Sequence, residues 1–441
     1  MSAATETADA EVPLLLREAM AEHGAGRLDA AEALYQRCLA ADPDDANALH
    51  LRGVLLAQRG RHAEAALSIE RAIAARPGEA MFHNNLGNVR IELGDAAAAE
   101  ACYRRALALD GGRLDAANNL GVLLSRRGSA DEAEALLLKV LELAPDFADA
   151  RQNLANHYLR AGRLPEAVQQ CFDGLITAPR STALRRLLGA AYSLMGRREQ
   201  AIEVYRHWLE DDPGNPLAEF HLKACTGEDV PPRAPDAYVA RVFDGFAASF
   251  DAKLASLEYK APEFVLAAVA LRCGKPQRAL DVLDAGCGTG LCGPQLAPWA
   301  RRLAGVDLSE GMLRQAVGRR VYDELVAGEL VEFLGLRAAA WDLIVSADTL
   351  CYFGALEGFA AAARAALREG GTLAFTVEAH ADVDGAPAYR LHEHGRYSHR
   401  GGYVRAVLGS AGFAAIELEP AVLRMEAGEP VNGWLVAARA G

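Results

Sequence analysis

The chain has 441 residues and a formal net charge of −13, with 51% hydrophobic and 24% charged residues. That length exceeds one ordinary core, so two or more domains are expected, and the composition excludes a disordered chain. The acidic balance also argues against a nucleic-acid partner, because phosphate-backbone affinity comes from clustered Lys and Arg.

The start, MSAATETADAE, is acidic where a signal peptide would be basic and then apolar, and no run approaches 18 consecutive apolar residues. A cytoplasmic chain with no membrane partner and a disordered stretch over residues 1–11 is expected. The eight cysteines are scattered, mostly inside helical apolar patterns such as those around Cys38, Cys102 and Cys171, which reads as reduced core side chains. Cys287 and Cys292 match no common zinc spacing, so no metal is expected.

Residues 12 to 215 repeat with a period of 34. Gly26, Gly60, Gly94, Gly128, Gly162 and Gly196 keep that spacing, as do Ala31, Ala65, Ala99, Ala133, Ala167 and Ala201. Each period reads as two antiparallel helices. Glycine ends the first helix in a left-handed turn, alanine marks the crossing with the second, and a proline near residues 43, 77, 145, 179 and 213 stops the second. This pattern resembles the tetratricopeptide repeat, with Tyr35, Tyr103 and Tyr205 in its aromatic slot and Ile69, Leu137 and Cys171 replacing the aromatic elsewhere. An all-α solenoid of six repeats with a capping helix at Pro216–Thr226, residues 12–226 in all, is implied.

Asn85, Asn119 and Asn153 are also 34 apart, and each follows another amide, Asn84, Asn118 or Gln152. Asparagine is a poor interior helix residue, so its repetition needs a reason. One reading has these amides bonding between neighbouring helices. The other is a ladder that holds the backbone of an extended protein or peptide partner, which resembles the ladder of protein O-GlcNAc transferases.

GEDVPPRAPD, residues 227–236, reads as a linker. After it come apolar runs separated by helical stretches: 279–285, 303–307, 324–330, 342–347 and 372–378. They predict a parallel sheet covered on both faces. Residues 413–440 hold two further strand-like runs joined by a short turn, an antiparallel hairpin.

The stretch DVLDAGCGTGLCGPQL carries two overlapping glycine motifs, one suited to a nucleoside and one to a dinucleotide. The closing hairpin favours the first. Together these features resemble class I S-adenosylmethionine-dependent methyltransferases over residues 237–441, an α/β Rossmann-like fold whose seven-stranded sheet ends in that hairpin. The resemblance implies S-adenosylmethionine as methyl donor and a donor site of Asp284, Gly286, Cys287, Gly288, Thr289 and Gly290 at the first strand, with Asp307, Leu308 and Met312 at the second. Glu329 and Leu330 follow at the third strand and Asp348 at the fourth. Upstream, VFDGFAASFD and Tyr259 resemble the segment that covers the donor.

Polar groups for the acceptor are sought at the ends of the fourth and fifth strands and in the insert LHEHGRYSHRGGY, which reads as a polar lid. His399 is the expected general base, with Tyr397 and Glu378 orienting the substrate. The whole chain resembles the bacterial family that fuses tetratricopeptide repeats to a methyltransferase, and a recruited protein or peptide acceptor is expected. A small-molecule enzyme docked through its repeats, a donor-binding scaffold without turnover and, remotely, a nicotinamide enzyme are the alternatives.

Overall fold

The computed structural model describes residues 3–441 except Phe246, Ala248, Ser249, Ser256, Asp382, Asp384 and Ala427, and omits the side chains of residues 3–11 and of Ala252. Of the expected disordered start, Met1 and Ser2 lie outside the described residues, as does part of the VFDGFAASFD segment, whereas residues 3–11 belong to the first helix. The chain divides into two compact units, residues 1–184 and 185–441. Among the described residues no helix is long and apolar enough to cross a membrane.

Helix pairs in the first unit follow the 34-residue period. They are α1 (Ala3–Gly24) with α2 (Leu28–Ala41), α3 (Ala46–Gln58) with α4 (His62–Ala75), α5 (Ala80–Glu92) with α6 (Ala96–Leu109), α7 (Leu114–Arg127) with α8 (Ala130–Leu143), and α9 (Ala148–Arg160) with α10 (Leu164–Thr177). The turn glycines from Gly26 to Gly162 have φ between 71° and 86°, yet a Cβ there would touch nothing within 4 Å. Backbone conformation, not space, selects glycine at these turns. The recurring alanines are fully buried.

A second glycine, present in α3, α5 and α7, has the opposite reason. A Cβ on Gly53 would lie 2.5 Å from Ile69, on Gly87 2.5 Å from Tyr103, and on Gly121 2.9 Å from Leu137, so the slot residue of the second helix packs directly on bare backbone. In the fifth pair the equivalent positions are Ala155 and Cys171, both fully buried, a larger residue facing a smaller one.

The paired amides bond to one another. Asn119 Nδ2 donates to Asn84 Oδ1 at 3.1 Å and to Asn88 Oδ1 at 3.0 Å, Asn153 Nδ2 donates to Asn118 Oδ1 at 2.9 Å, and Asn85 Nδ2 lies 2.8 Å from His50 Nε2. These bonds tie successive repeats together, as the first of the two sequence readings has it.

The second unit opens with the last repeat, α11 (Thr182–Leu194) and α12 (Arg198–Asp211), and the capping helix α13 (Pro216–Thr226). These helices share a compact unit with the α/β fold because α13 is bonded to it by aromatic packing. The Phe220 ring lies 4.3 Å from that of Tyr238 and 6.3 Å from that of Tyr397, and His221 Nδ1 is 3.2 Å from the carbonyl of Glu393. Residues 227–236, which the sequence presents as a linker, run along the same unit as a strap. Tyr397 Oη donates to the Pro231 carbonyl at 2.8 Å, the backbone N–H groups of Gly354 and Ala355 donate to that of Pro232, and Ala234 N–H donates to the Tyr352 carbonyl.

Helices α14 (Asp236–Asp244), α15 (Phe250–Ala255) and α16 (Ala261–Cys273) precede the sheet. Its strands are β1 (Leu280–Ala285), β2 (Ala300–Asp307), β3 (Glu324–Ala327), β4 (Trp341–Ser346), β5 (Leu367–Ala379), β6 (Tyr389–Leu391), β7 (Tyr397–His399), β8 (Phe413–Glu426) and β9 (Glu429–Ala440). Between them lie α17 (Gly293–Leu296), α18 (Glu310–Val317), α19 (Leu330–Gly335), α20 (Glu357–Ala366) and α21 (Gly401–Ser410). The main sheet runs β3-β2-β1-β4-β5-β9-β8, parallel as far as β5, with β9 antiparallel to both β5 and β8. The seven expected strands and closing hairpin are present, and β6 and β7 form an extra hairpin on the last two residues of β5. Adjacent residues of β1, Val282 and Leu283, enter different cores, one on each face of the sheet, which is why these strands are apolar throughout.

Candidate functional site

The carboxyl ends of β1, β2, β3 and β4 open on one cavity of about 200 Å³. After β1 the chain turns through Gly286, Gly288 and Gly290, all with positive φ, at 73°, 54° and 79°. A Cβ on Gly286 would lie 2.2 Å from Thr349 Oγ1, whereas one on Gly288 would meet nothing closer than Phe250 at 3.9 Å. The turn is thus packed from behind and bare toward the cavity, where a ligand can approach the backbone.

Three acidic residues surround this turn. Asp284 is fully buried and accepts a hydrogen bond from Tyr322 Oη at 2.6 Å. Burial raises its pKa to about 7, against the lowering effect of the Tyr322 bond and with help from the charge of Asp307. Asp307 accepts from the Gly288 N–H at 2.8 Å and from the Ser309 N–H at 2.9 Å, so the end of β2 fixes the glycine turn of β1. Burial pushes its pKa up as well. Ser309 caps α18, leaving Asp307 free of that duty. Glu329 caps α19 through Oε2, 2.8 Å from the Glu332 N–H, while its buried Oε1 has no hydrogen-bond partner among the described residues. Leu308, Met312 and Leu330 line the cavity beside these groups, and Phe243, Phe250, Tyr259 and Tyr352 form an aromatic wall.

The covering helices are tied to the same loops by two carboxylates. Asp244 Oδ1 accepts from Ser309 Oγ at 2.6 Å and from the Gly311 N–H at 2.9 Å, and Asp251 accepts from Thr289 Oγ1 and Arg319.

At the other end of the cavity stands a buried ion cluster. Arg424, 3% exposed, reaches in from β8 and donates to Asp348 Oδ2 at 2.6 Å, to Glu426 Oε1 at 2.7 Å and to Glu378 Oε1. Arg396 donates to Glu378 Oε1 at 2.6 Å and to both oxygens of Glu426, at 2.9 and 2.7 Å. Burial pushes up the pKa of Asp348 despite Arg424, whereas for Glu426 the two arginines outweigh burial and hold the pKa down at about 2.

A methyltransferase-domain family model matches residues 283–375, and tetratricopeptide-repeat models match residues 16–80, 78–146, 127–179 and 183–217. Malonyl-[acyl-carrier protein] O-methyltransferase of Geobacter sulfurreducens is 33% identical over 196 residues, 41% of this chain and 71% of that protein. The chain belongs to the methyltransferases, fused to tetratricopeptide repeats. Human methyltransferase-like protein 27 is 30% identical over 118 residues, and the match spans 26% of this chain and 47% of that protein, about half its length. Among solved structures, the type IV pilus biogenesis factor PilW is similar at a TM-score of 0.45 and 22% identity, over 47% of this chain and 96% of that one.

The cavity is lined by every residue expected around the donor except Gly290, which lies behind the turn against Tyr322 and Arg319. The three residues expected for catalysis do not reach the cavity. His399 is fully buried on β7, with Nε2 3.1 Å from the Gly354 carbonyl and its ring stacked on Tyr403, and burial holds its pKa down at about 4. Tyr397 is used by the strap, and Glu378 is enclosed by the two arginines. The expected polar lid is instead the β6–β7 hairpin paired to β5, and among its residues Arg396 alone lines the cavity. His392 and His394 stack on each other at 5.1 Å, with His392 Nε2 2.7 Å from Ser398 Oγ. The potential ligand atoms of Asp348, Cys351 and Glu378 lie within 4.8 Å of one another, and the Arg424 guanidinium, bonded to both carboxylates, is the cation there.

Among the charged residues that line the cavity, Arg233, Lys253, Arg396, Arg424 and Glu426 were missed in the sequence. The available signal was an arginine in the run AVLRMEAG, where a charge interrupts an otherwise apolar strand.

Proposed function

We propose that this protein transfers a methyl group from S-adenosylmethionine to a protein or peptide acceptor brought to it by the repeats. The observation that carries the donor reading is the convergence of Asp284, Asp307 and Glu329 on one cavity around a glycine turn whose open side is bare backbone. Asp284 would hold the donor's ammonium, Asp307 the ribose hydroxyls through lone pairs not used by Gly288 and Ser309, and Glu329 Oε1, which accepts no hydrogen bond among the described residues and lies 3.9 Å from Arg233 Nη1, the adenine amine. The donor supplies an electrophilic methyl group. The chain's own part is to exclude water with the aromatic wall and hold the acceptor in line, for which positioning and desolvation can supply much of the rate.

Tetratricopeptide repeats are protein-interaction modules, and the Geobacter relative is named for a substrate carried on a protein, which supports a protein-borne acceptor. The amides of the ladder bond one another, so recruitment by the array would rest on more than those side chains.

The test gives full-length protein radiolabelled S-adenosylmethionine in a lysate of its source, with Asp307→Ala as control. Label in precipitable protein that disappears with the variant supports the reading. Label confined to soluble small molecules refutes the recruited-protein part, and failure of the protein to bind S-adenosylhomocysteine in calorimetry refutes the donor part.

A further inference from the structure

At the acceptor end of the cavity three carboxylates, Asp348, the enclosed Glu378 and the one-third exposed Glu426, pair with two guanidiniums, those of Arg396 and Arg424. Both arginines are already engaged by these carboxylates. An anionic acceptor would therefore bring a further negative charge to a largely enclosed cluster in which three carboxylates already face two guanidiniums.

Within this cluster one group is incomplete. Asp348 accepts from Arg424 through Oδ2, but its buried Oδ1 has no hydrogen-bond partner among the described residues. Its backbone has φ 56°, a left-handed conformation that non-glycine residues rarely adopt, stabilised by the bond from its N–H to Thr376 Oγ1 at 2.9 Å. The residue lines the cavity directly after β4, so a ligand in the cavity can supply the missing donor.

We propose that the acceptor is an amine whose N–H is received by Asp348 Oδ1. This rests on the donor reading above. In the transfer the nitrogen lone pair forms the new C–N bond, the C–S electron pair returns to sulfur to leave a neutral thioether, and the positive charge moves from sulfur to nitrogen. The nitrogen then passes its extra proton to Asp348 Oδ1. A carboxylate placed where positive charge develops stabilises that transition state more than the ground state. A carboxylate acceptor develops no positive charge there, and a hydroxyl requires a base stronger than an aspartate paired to arginine.

The test needs no knowledge of the acceptor. Calorimetry on the full-length protein compares S-adenosylhomocysteine with sinefungin, which carries an amine-bearing carbon in place of the methylated sulfur. Wild type is expected to prefer sinefungin by about tenfold or more, the scale of one charge-assisted hydrogen bond. Asp348→Asn should lose most of that preference, read as the ratio of the two affinities so that any loss common to both analogues cancels, and Asp348→Glu should restore part of it. Equal binding of the two analogues by wild type, or a preference unchanged in Asp348→Asn, overturns the amine assignment. No binding of S-adenosylhomocysteine by wild type overturns the donor reading instead. As a check independent of the variants, methyl label placed in a lysate by wild type should survive strong alkali, and its release as methanol would identify a carboxyl ester and overturn the proposal.

Discussion

Asp284→Asn should make the protein more stable and a poorer donor binder, with a pH dependence set by one buried carboxyl. Burial first, and the Asp307 charge with it, lift the pKa of Asp284 to about 7 against the Tyr322 bond, whereas an unfolded aspartate titrates near 3.9. A raised carboxyl contributes stability that is fully present below the unfolded pKa and is lost as pH rises through the folded one. Over that window of about three units, at about 1.36 kcal/mol each, wild type loses on the order of 4 kcal/mol relative to a variant that cannot ionise. For a domain of this size, that is on the order of 10 °C in Tm. Thermal unfolding of both proteins followed by circular dichroism at pH 5, 6, 7 and 8 should show the variant's advantage widening with pH, while calorimetry shows weakened S-adenosylhomocysteine binding. A Tm difference that stays constant from pH 5 to pH 8 would refute the reasoning, since no group with a raised pKa would then have been removed.

Arg424→Met leaves Asp348, Glu378 and Glu426 with Arg396 alone, which should cost about 3–5 kcal/mol, and more at pH 8 than at pH 5 because the released carboxylates must then stay ionised. Equal losses in Tm at the two pH values would count against the cluster as drawn. Asp307→Ala removes the acceptor of two backbone N–H groups in the glycine turn region and should weaken S-adenosylhomocysteine binding by about 10- to 100-fold in calorimetry. Unchanged affinity would remove Asp307 from the site. Gly87→Ala drives a methyl group into the Tyr103 ring and should lower stability by about 1–3 kcal/mol. The same change in a Tyr103→Cys background, which imitates the Ala155 and Cys171 pair, should cost less. Strictly additive losses in the four melting curves would contradict that packing.

Much of this protein is legible in its sequence because its main signals are local. A left-handed turn after each first helix admits glycine whatever surrounds it, so Gly26 to Gly196 mark the repeats directly. The part of the cavity around the glycine turn is equally readable, since Asp284 to Thr289, Asp307, Glu329 and Asp348 each sit at or just past the end of a strand, and a parallel sheet brings all its strand ends to one edge. The ion cluster at the other end of the cavity was not readable in this way. Asp348 and Arg424 are 76 residues apart and meet because β9 inserts between β5 and β8. His399, a plausible base by residue type, is withdrawn from the cavity because β7 pairs with the end of β5. A proline-rich segment becomes a strap because Tyr397, Gly354 and Ala355 offer donors to its carbonyls. Sequence alone determined the repeat period, the order of the strand-end motifs and the residues that line the cavity around the glycine turn, which depend on backbone conformation and position along one strand. The tertiary structure decided which charges neutralise one another and which polar groups face the cavity, because charge pairing and desolvation depend on neighbours that chain spacing does not encode.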